Sequence, residues 1–187
     1  MRPLIKIVDR ANKGLEVLVG LALASMTAII FFQVLVRFVF TKLNFQISAP
    51  WTEELSRYLM IWAVFIGSAI VARRADALAV EALVQAVPAS LGRPIKYCAY
   101  LLAIVFYGCI FVLGLEWAEF RRSEMAPVLN VSMVYVYASM SIGAALTIIN
   151  AITLLLETYI EKKDILDVVD FEMEEALADV EHALHDS

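Results

Sequence analysis

Four long apolar stretches, separated by short charged or polar segments, dominate the chain, and the last gives way to an acidic tail. The first runs from Leu15 to Val36, the second from Trp51 to Ala72, the third from Tyr97 to Leu115 and the fourth from Val131 to Leu156. A helix of about 20 apolar residues crosses a hydrocarbon core of about 30 Å. The pattern therefore predicts an all-α integral membrane protein, a four-transmembrane-helix bundle over residues 15–156. The apolar run continues well past the small-x-small triplet Ala22-Leu23-Ala24, and a signal-peptide core is only about 7–15 residues long. The first helix is thus expected to stay attached.

The flanking segments have their own periodicity. Residues 1–14 interleave Arg2, Lys6, Arg10 and Lys13 with Leu4, Ile5, Ile7 and Val8, the pattern of a basic interfacial helix. Residues 76–87 are too short to cross and alternate Leu78, Val80, Leu83, Val84 and Val87 with Asp76, Glu81 and Gln85, which predicts an amphipathic surface helix stopped by Pro88 and the Gly92–Pro94 break. In residues 157–187, Leu166, Val169, Met173, Leu177, Val180 and Leu184 recur at spacings of three and four with acids on the other faces, which predicts an amphipathic tail helix.

Composition sharpens this picture. The chain is 61% hydrophobic and 19% charged, against about 45–50% and about 25% for a soluble domain. The net charge of −5 divides into a tail with 11 acids and 2 bases and a remainder with 9 acids and 13 bases. The membrane part is mildly basic but lacks the clustered basic face of a nucleic-acid-binding protein. Ten lysines and arginines flank the spans on the side of the termini (Arg2, Lys6, Arg10, Lys13, Arg73, Arg74, Arg93, Lys96, Lys162 and Lys163), and Arg37, Lys42, Arg121 and Arg122 lie on the other. The positive-inside rule puts both termini in the cytoplasm.

Candidate chemistry is sparse. Arg57 lies a turn inside the second span, where arginine costs up to about 2.5–3.5 kcal/mol at mid-bilayer. Glu53 at i−4 and Glu54 at i−3 can face it, and Arg37 approaches from the end of the first helix. This set is expected to form an ion-pair cluster closing the hairpin, a polar contact to a second membrane subunit or to lipid headgroups, or both. Arg73 and Arg74 close the second span at the cytoplasmic membrane surface, where the helix dipole favours cations. Ala63 and Gly67 in the second span, and Ser139, Gly143, Thr147 and Ala151 in the fourth, recur every four residues and suit close helix packing. Asn150 reads as interhelical glue, Trp62 as a packing residue, and Trp51, Trp117, Tyr97 and Tyr135 as interfacial anchors. Cys98 and Cys109 share one helix and read as small apolar residues; His182 and His185 lie in the tail. No catalytic set, cofactor site or metal site is expected, and no enzymatic activity.

The runs Gln33-Val34-Leu35-Val36-Arg37-Phe38-Val39-Phe40 and Trp51-Thr52-Glu53-Glu54-Leu55-Ser56-Arg57-Tyr58-Leu59-Met60-Ile61-Trp62, followed by Gly67, resemble the small membrane subunit of tripartite ATP-independent periplasmic (TRAP) transporters. Arg73, Arg74, Pro88, the run Pro127-Val128-Leu129-Asn130-Val131, Tyr137 and Ile142-Gly143 extend the resemblance over about Leu15 to Leu156. The chain departs from that pattern at Ala77, where histidine is frequent, at Glu81, where aspartate is expected, and at Ser132 and Ser141, where prolines are common. The resemblance implies a bacterial inner-membrane scaffold subunit. Its partners would be a large multi-span transport subunit, a periplasmic substrate-binding protein and membrane lipids, and it would serve sodium-coupled import of organic acids. Two other functions compete on the residues alone. One is a self-sufficient small transporter or channel using Gln33, Ser68 and Asn150; the other is an assembly or signalling protein acting through its tail.

Overall fold

The computed structural model describes residues 2–40, 42, 49–74 and 88–161. Helix α1 (Arg2–Leu35) ends in a π-helical turn (Val36–Phe40), and α2 (Trp51–Arg74), α3 (Ala89–Phe120) and α4 (Val134–Glu161) follow. All four helices are long and apolar enough to cross a membrane. The described residues contain no strand, only an isolated antiparallel bridge between Met125 and Ser132 in the α3–α4 loop.

Three boundaries differ from the apolar pattern. Residues 2–14 do not form a separate helix but continue directly into the first span. Gly14 costs roughly 1 kcal/mol in a helix interior, too little to break a helix supported by apolar residues on both sides. Helix α3 begins at Ala89 and runs through Pro94. Near a helix start, a proline removes only one backbone bond, so the expected break at Gly92–Pro94 does not form. Helix α4 starts three residues later than the hydropathy suggests, because Val131 to Met133 belong to the hydrogen-bonded loop. The predicted surface helix over 76–87, including Glu81, and the tail beyond residue 161 lie outside the described residues.

The helices pack in a row. Helix α4 lies between α2 and α3, and α1 packs on α2 while reaching α4 over a short contact. Half of the apolar stretch of α4 is buried and none of that of α1. The outer helices instead expose large apolar side chains such as Leu21, Phe31, Leu101, Leu102 and Phe106, as expected where lipid replaces water as the solvent. The interior is built from small residues: Ala63 and Ala69 of α2 and Ser139, Gly143, Ala144, Thr147 and Ala151 of α4 are buried. Lipid tails give apolar side chains little reason to cluster, so close backbone contact holds the seam. A Cβ on Gly143 would fall 2.5 Å from Cβ and 2.7 Å from the backbone oxygen of Phe65. On the other side of α4, a Cβ on Gly114 of α3 would run into the Ser141 hydroxyl.

Candidate functional site

At the end of the row that carries the α3–α4 loop, Thr52 starts α2 by donating its backbone N–H and its hydroxyl to the Ala49 carbonyl, at 3.2 and 2.7 Å. The next turn presents two adjacent carboxylates on different faces. Glu53 is exposed and accepts a 2.8 Å bond from Gln33 Nε2, tying α1 to α2. Glu54 is 8% exposed and turns into the loop. Its Oε2 accepts the backbone N–H groups of Val128 (3.0 Å) and Leu129 (2.8 Å), and its Oε1 accepts the Tyr58 hydroxyl at 2.7 Å. The loop supplies its own closure: Ala126 N–H donates to Val131 O, Met133 N–H to Glu124 O, and Asn130 adopts a φ of 51°, a left-handed conformation that asparagine tolerates better than most residues. Arg121 bonds both oxygens of Glu124 at 2.7 Å and lies 5.5 Å over the Trp117 ring, which stacks on Tyr137. The bond to Glu124 and its negative charge raise the Arg121 pKa above its already high ordinary value.

The closed ion cluster read from the sequence does not form among the described residues. Glu53 goes to Gln33 and Glu54 to the loop, while Arg57 and Arg37 are both exposed and neither makes an ion pair with a described residue. The Arg37 guanidinium sits 5.9 Å over the neighbouring Phe38 ring. Spacing alone favoured Glu53 and Glu54 as partners of Arg57. Two unpaired backbone N–H groups in a half-buried loop are the stronger claim on Glu54, since leaving them unmet costs about 1–3 kcal/mol each. Trp62, five residues beyond Arg57, is about 140° around the helix from it and half-buried, so the two do not share a face. Gly67 is half-buried, and a Cβ there would meet nothing within 4 Å.

At the opposite end, Arg73 gathers three helix ends. It bonds Asp9 of α1 (Nε to Oδ1, 2.9 Å) and Glu157 of α4 (Nη2 to Oε2, 2.6 Å), while the adjacent Arg74 pairs with Glu16 at 2.7 Å. One turn inward lies a buried amide pair. Asn12 and Asn150 exchange hydrogen bonds of 2.9 and 2.7 Å, and Asn150 Nδ2 also donates to the Ala69 carbonyl at 2.7 Å. Ser68 and Thr147 share a 3.2 Å hydrogen bond further along the α2–α4 seam.

Two of the segments that carry the family resemblance, Trp51 to Trp62 and Pro127 to Val131, therefore meet through one carboxylate. The sequence pattern of the family described as tripartite ATP-independent periplasmic transporters, DctQ component, matches residues 26–160. The chain belongs to the DctQ family. Two Haemophilus influenzae (strain ATCC 51907 / DSM 11121 / KW20 / Rd) proteins assigned by name as TRAP transporter small permease proteins are similar to it. One is 29% identical over 149 residues, covering 79% of this chain and 88% of that protein. The other is 24% identical over 165 residues, covering 86% and 94%. The chain is thus a transmembrane component of a TRAP transporter.

Several elements of this DctQ-family chain escaped the sequence reading. Asp9, Asn12 and Glu157 are ordinary polar residues in a linear view. The usable signal was positional and held for one partner only: Asn150 is a lone amide deep in an apolar span, and such a group needs a partner in lipid, whereas Asn12 shares its helix face with Asp9 and Glu16. Asn150→Leu is expected to destabilise the helical row by about 1–2 kcal/mol, by breaking up to three bonds and leaving the Asn12 Oδ1 unmet while its Nδ2 keeps the Val8 carbonyl. The double variant with Asn12→Leu should lose less than the sum of the two single changes. Thermal unfolding in mild detergent across the four-member cycle measures the coupling, and strict additivity would show that the amides do not act as a pair.

Proposed function

We propose that this chain is the scaffold subunit of a sodium-coupled secondary transporter that imports organic acids. It braces a large multi-span transport subunit in the bacterial inner membrane while a periplasmic substrate-binding protein delivers the solute. Family membership supports the setting. The observation that carries the scaffold role is that the polar side chains inside the row are bonded to this chain itself: Asn12 to Asn150, Ser68 to Thr147, and Glu54 to the loop. A solute path needs hydrated polar groups or ionisable residues near the midplane. A groove of about 200 Å³ between α2 and α3 over α4 is lined mainly by apolar and small residues such as Val71, Ala99, Ala103 and Ile104; its one charged residue, the buried Lys96, sits two turns into α3, toward the end of the row that holds Arg73. Substrate and ion sites therefore belong to the partner subunit. The Asp9–Arg73–Glu157 network brings the start of α1 and the end of α4 to one side, and the excess of flanking basic residues supports the cytoplasm as that side.

Reconstitution into liposomes with an imposed sodium gradient tests the proposal. Uptake of a carboxylate solute is expected only when this chain, the large subunit and the binding protein are all present. Flux through this chain alone, or full-rate uptake without it, would overturn the scaffold role.

A further inference from the structure

Between its ends, where Glu53 and Arg74 bond to Gln33 and Glu16 of α1, one face of α2 is left uncovered. Glu53, Arg57, Met60, Val64, Val71 and Arg74 are exposed at spacings of three, four and seven, and Gly67 completes the stripe. Most of it suits lipid. Arg57 does not. It lies six residues, about 9 Å, beyond the start of the helix, and it is exposed with no hydrogen bond or ion pair to any described residue. Its two acidic neighbours on the helix are held by Gln33 and by the α3–α4 loop. A charge inside a span is stable when it meets an opposite charge.

We propose that this stripe of α2 is the seam against a helix of the large transport subunit, with Arg57 pairing to a carboxylate on that helix. The inference rests on the scaffold reading and names the surface through which it acts. Three observations favour a protein helix over a lipid. Glu53 stands on the same face one turn nearer the helix end, so a headgroup phosphate reaching down to Arg57 passes a like charge, whereas a side chain on a neighbouring helix approaches from the side. Gly67 leaves a notch at mid-stripe that this chain does not fill, and small residues at such positions let another backbone come close. Below Gly67 the stripe is continuous, through Val71, with the groove floored by Thr147 and Ala151 of α4 and walled by Ala99 and Ala103 of α3.

The test uses the co-expressed complex. A benzophenone side chain placed at Val64 is expected to cross-link to the large subunit on irradiation, and one placed at Leu102 on the exposed side of α3 is not. Arg57→Glu should lower the large subunit recovered with this chain at least about tenfold, a loss of about 1.4 kcal/mol. Arg57→Lys should retain most of it, and Arg122→Glu, on the exposed α3–α4 loop outside the stripe, should have little effect. Helix content and thermal unfolding check that each variant folds; if Arg57→Glu does not, the Val64 cross-link in the otherwise unchanged chain still decides. A Val64 probe that labels lipid only, with full recovery of the large subunit in Arg57→Glu, would overturn the seam while leaving the scaffold role standing. Failure of the unchanged chain to hold the large subunit at all would overturn the scaffold role itself.

Discussion

Gly143→Ala is expected to destabilise the row by about 2–3 kcal/mol, a large effect for one methyl group. The added Cβ would lie 2.5, 2.7 and 2.8 Å from Cβ, the backbone oxygen and the carbonyl carbon of Phe65. Two of these are main-chain atoms that cannot rotate away, so α2 and α4 must separate. Separation also strains the bonds further along the same seam, Ser68 to Thr147 at 3.2 Å and Asn150 to the Ala69 carbonyl at 2.7 Å. The comparison is internal to the molecule. Gly67→Ala and Gly108→Ala meet nothing within 4 Å, and alanine is the better helix former by about 1 kcal/mol. Thermal unfolding of the purified chain should therefore fall sharply for Gly143→Ala and hold or rise for the other two. Equal behaviour of all three would show that α2 and α4 are not in close contact. Under the proposed seam, a bulkier Gly67→Val would spare the isolated chain yet reduce recovery of the large subunit.

Glu54→Ala is expected to release the α3–α4 loop. The carboxylate satisfies two backbone N–H groups and the Tyr58 hydroxyl from a largely buried position. Bonds to a charged acceptor are each worth about 1.5–3 kcal/mol, and water entering the vacated space recovers part of that. A net loss of about 3 kcal/mol, confined to the loop and the first turns of α2 and α4, is the expected result. Hydrogen exchange at the Val128 and Leu129 amides should accelerate by two orders of magnitude or about 2.7 kcal/mol, and proteolysis at Arg121 and Arg122 should increase. Glu54→Gln keeps an acceptor oxygen and should lie between. Glu53→Ala, which removes an exposed bond to Gln33, should change the loop little. Unchanged exchange in Glu54→Ala would show that the loop holds itself through Ala126–Val131 and Glu124–Met133.

The adjacency of Glu53 and Glu54 illustrates how far a linear reading reaches. The helix period allowed both to face Arg57, and no local rule distinguished them. The distinction came from residues about 75 positions away, whose unpaired backbone N–H groups made a demand that only one carboxylate could reach. Arg73 is a similar case. Its place at the end of a span suggested a membrane-surface cation, and folding made it the link between Asp9 and Glu157. Ser141 donates to the Phe111 carbonyl at 3.3 Å and packs against Gly114. It thereby does local work at the α3–α4 seam that spacing did not reveal.

What the chain's order of residues determined alone is the helical class, the number of spans and the family, because each follows from short-range facts: apolar length against bilayer thickness, and side chains close together in sequence. What only the tertiary structure decided is which polar groups meet. Inside a membrane an unpaired amide, carboxylate or backbone N–H has no water to fall back on, so partners are assigned by distance across the row and not by spacing along the helix. That competition joined Asn12 to Asn150 and Glu54 to the loop, and it left Arg57 facing outward.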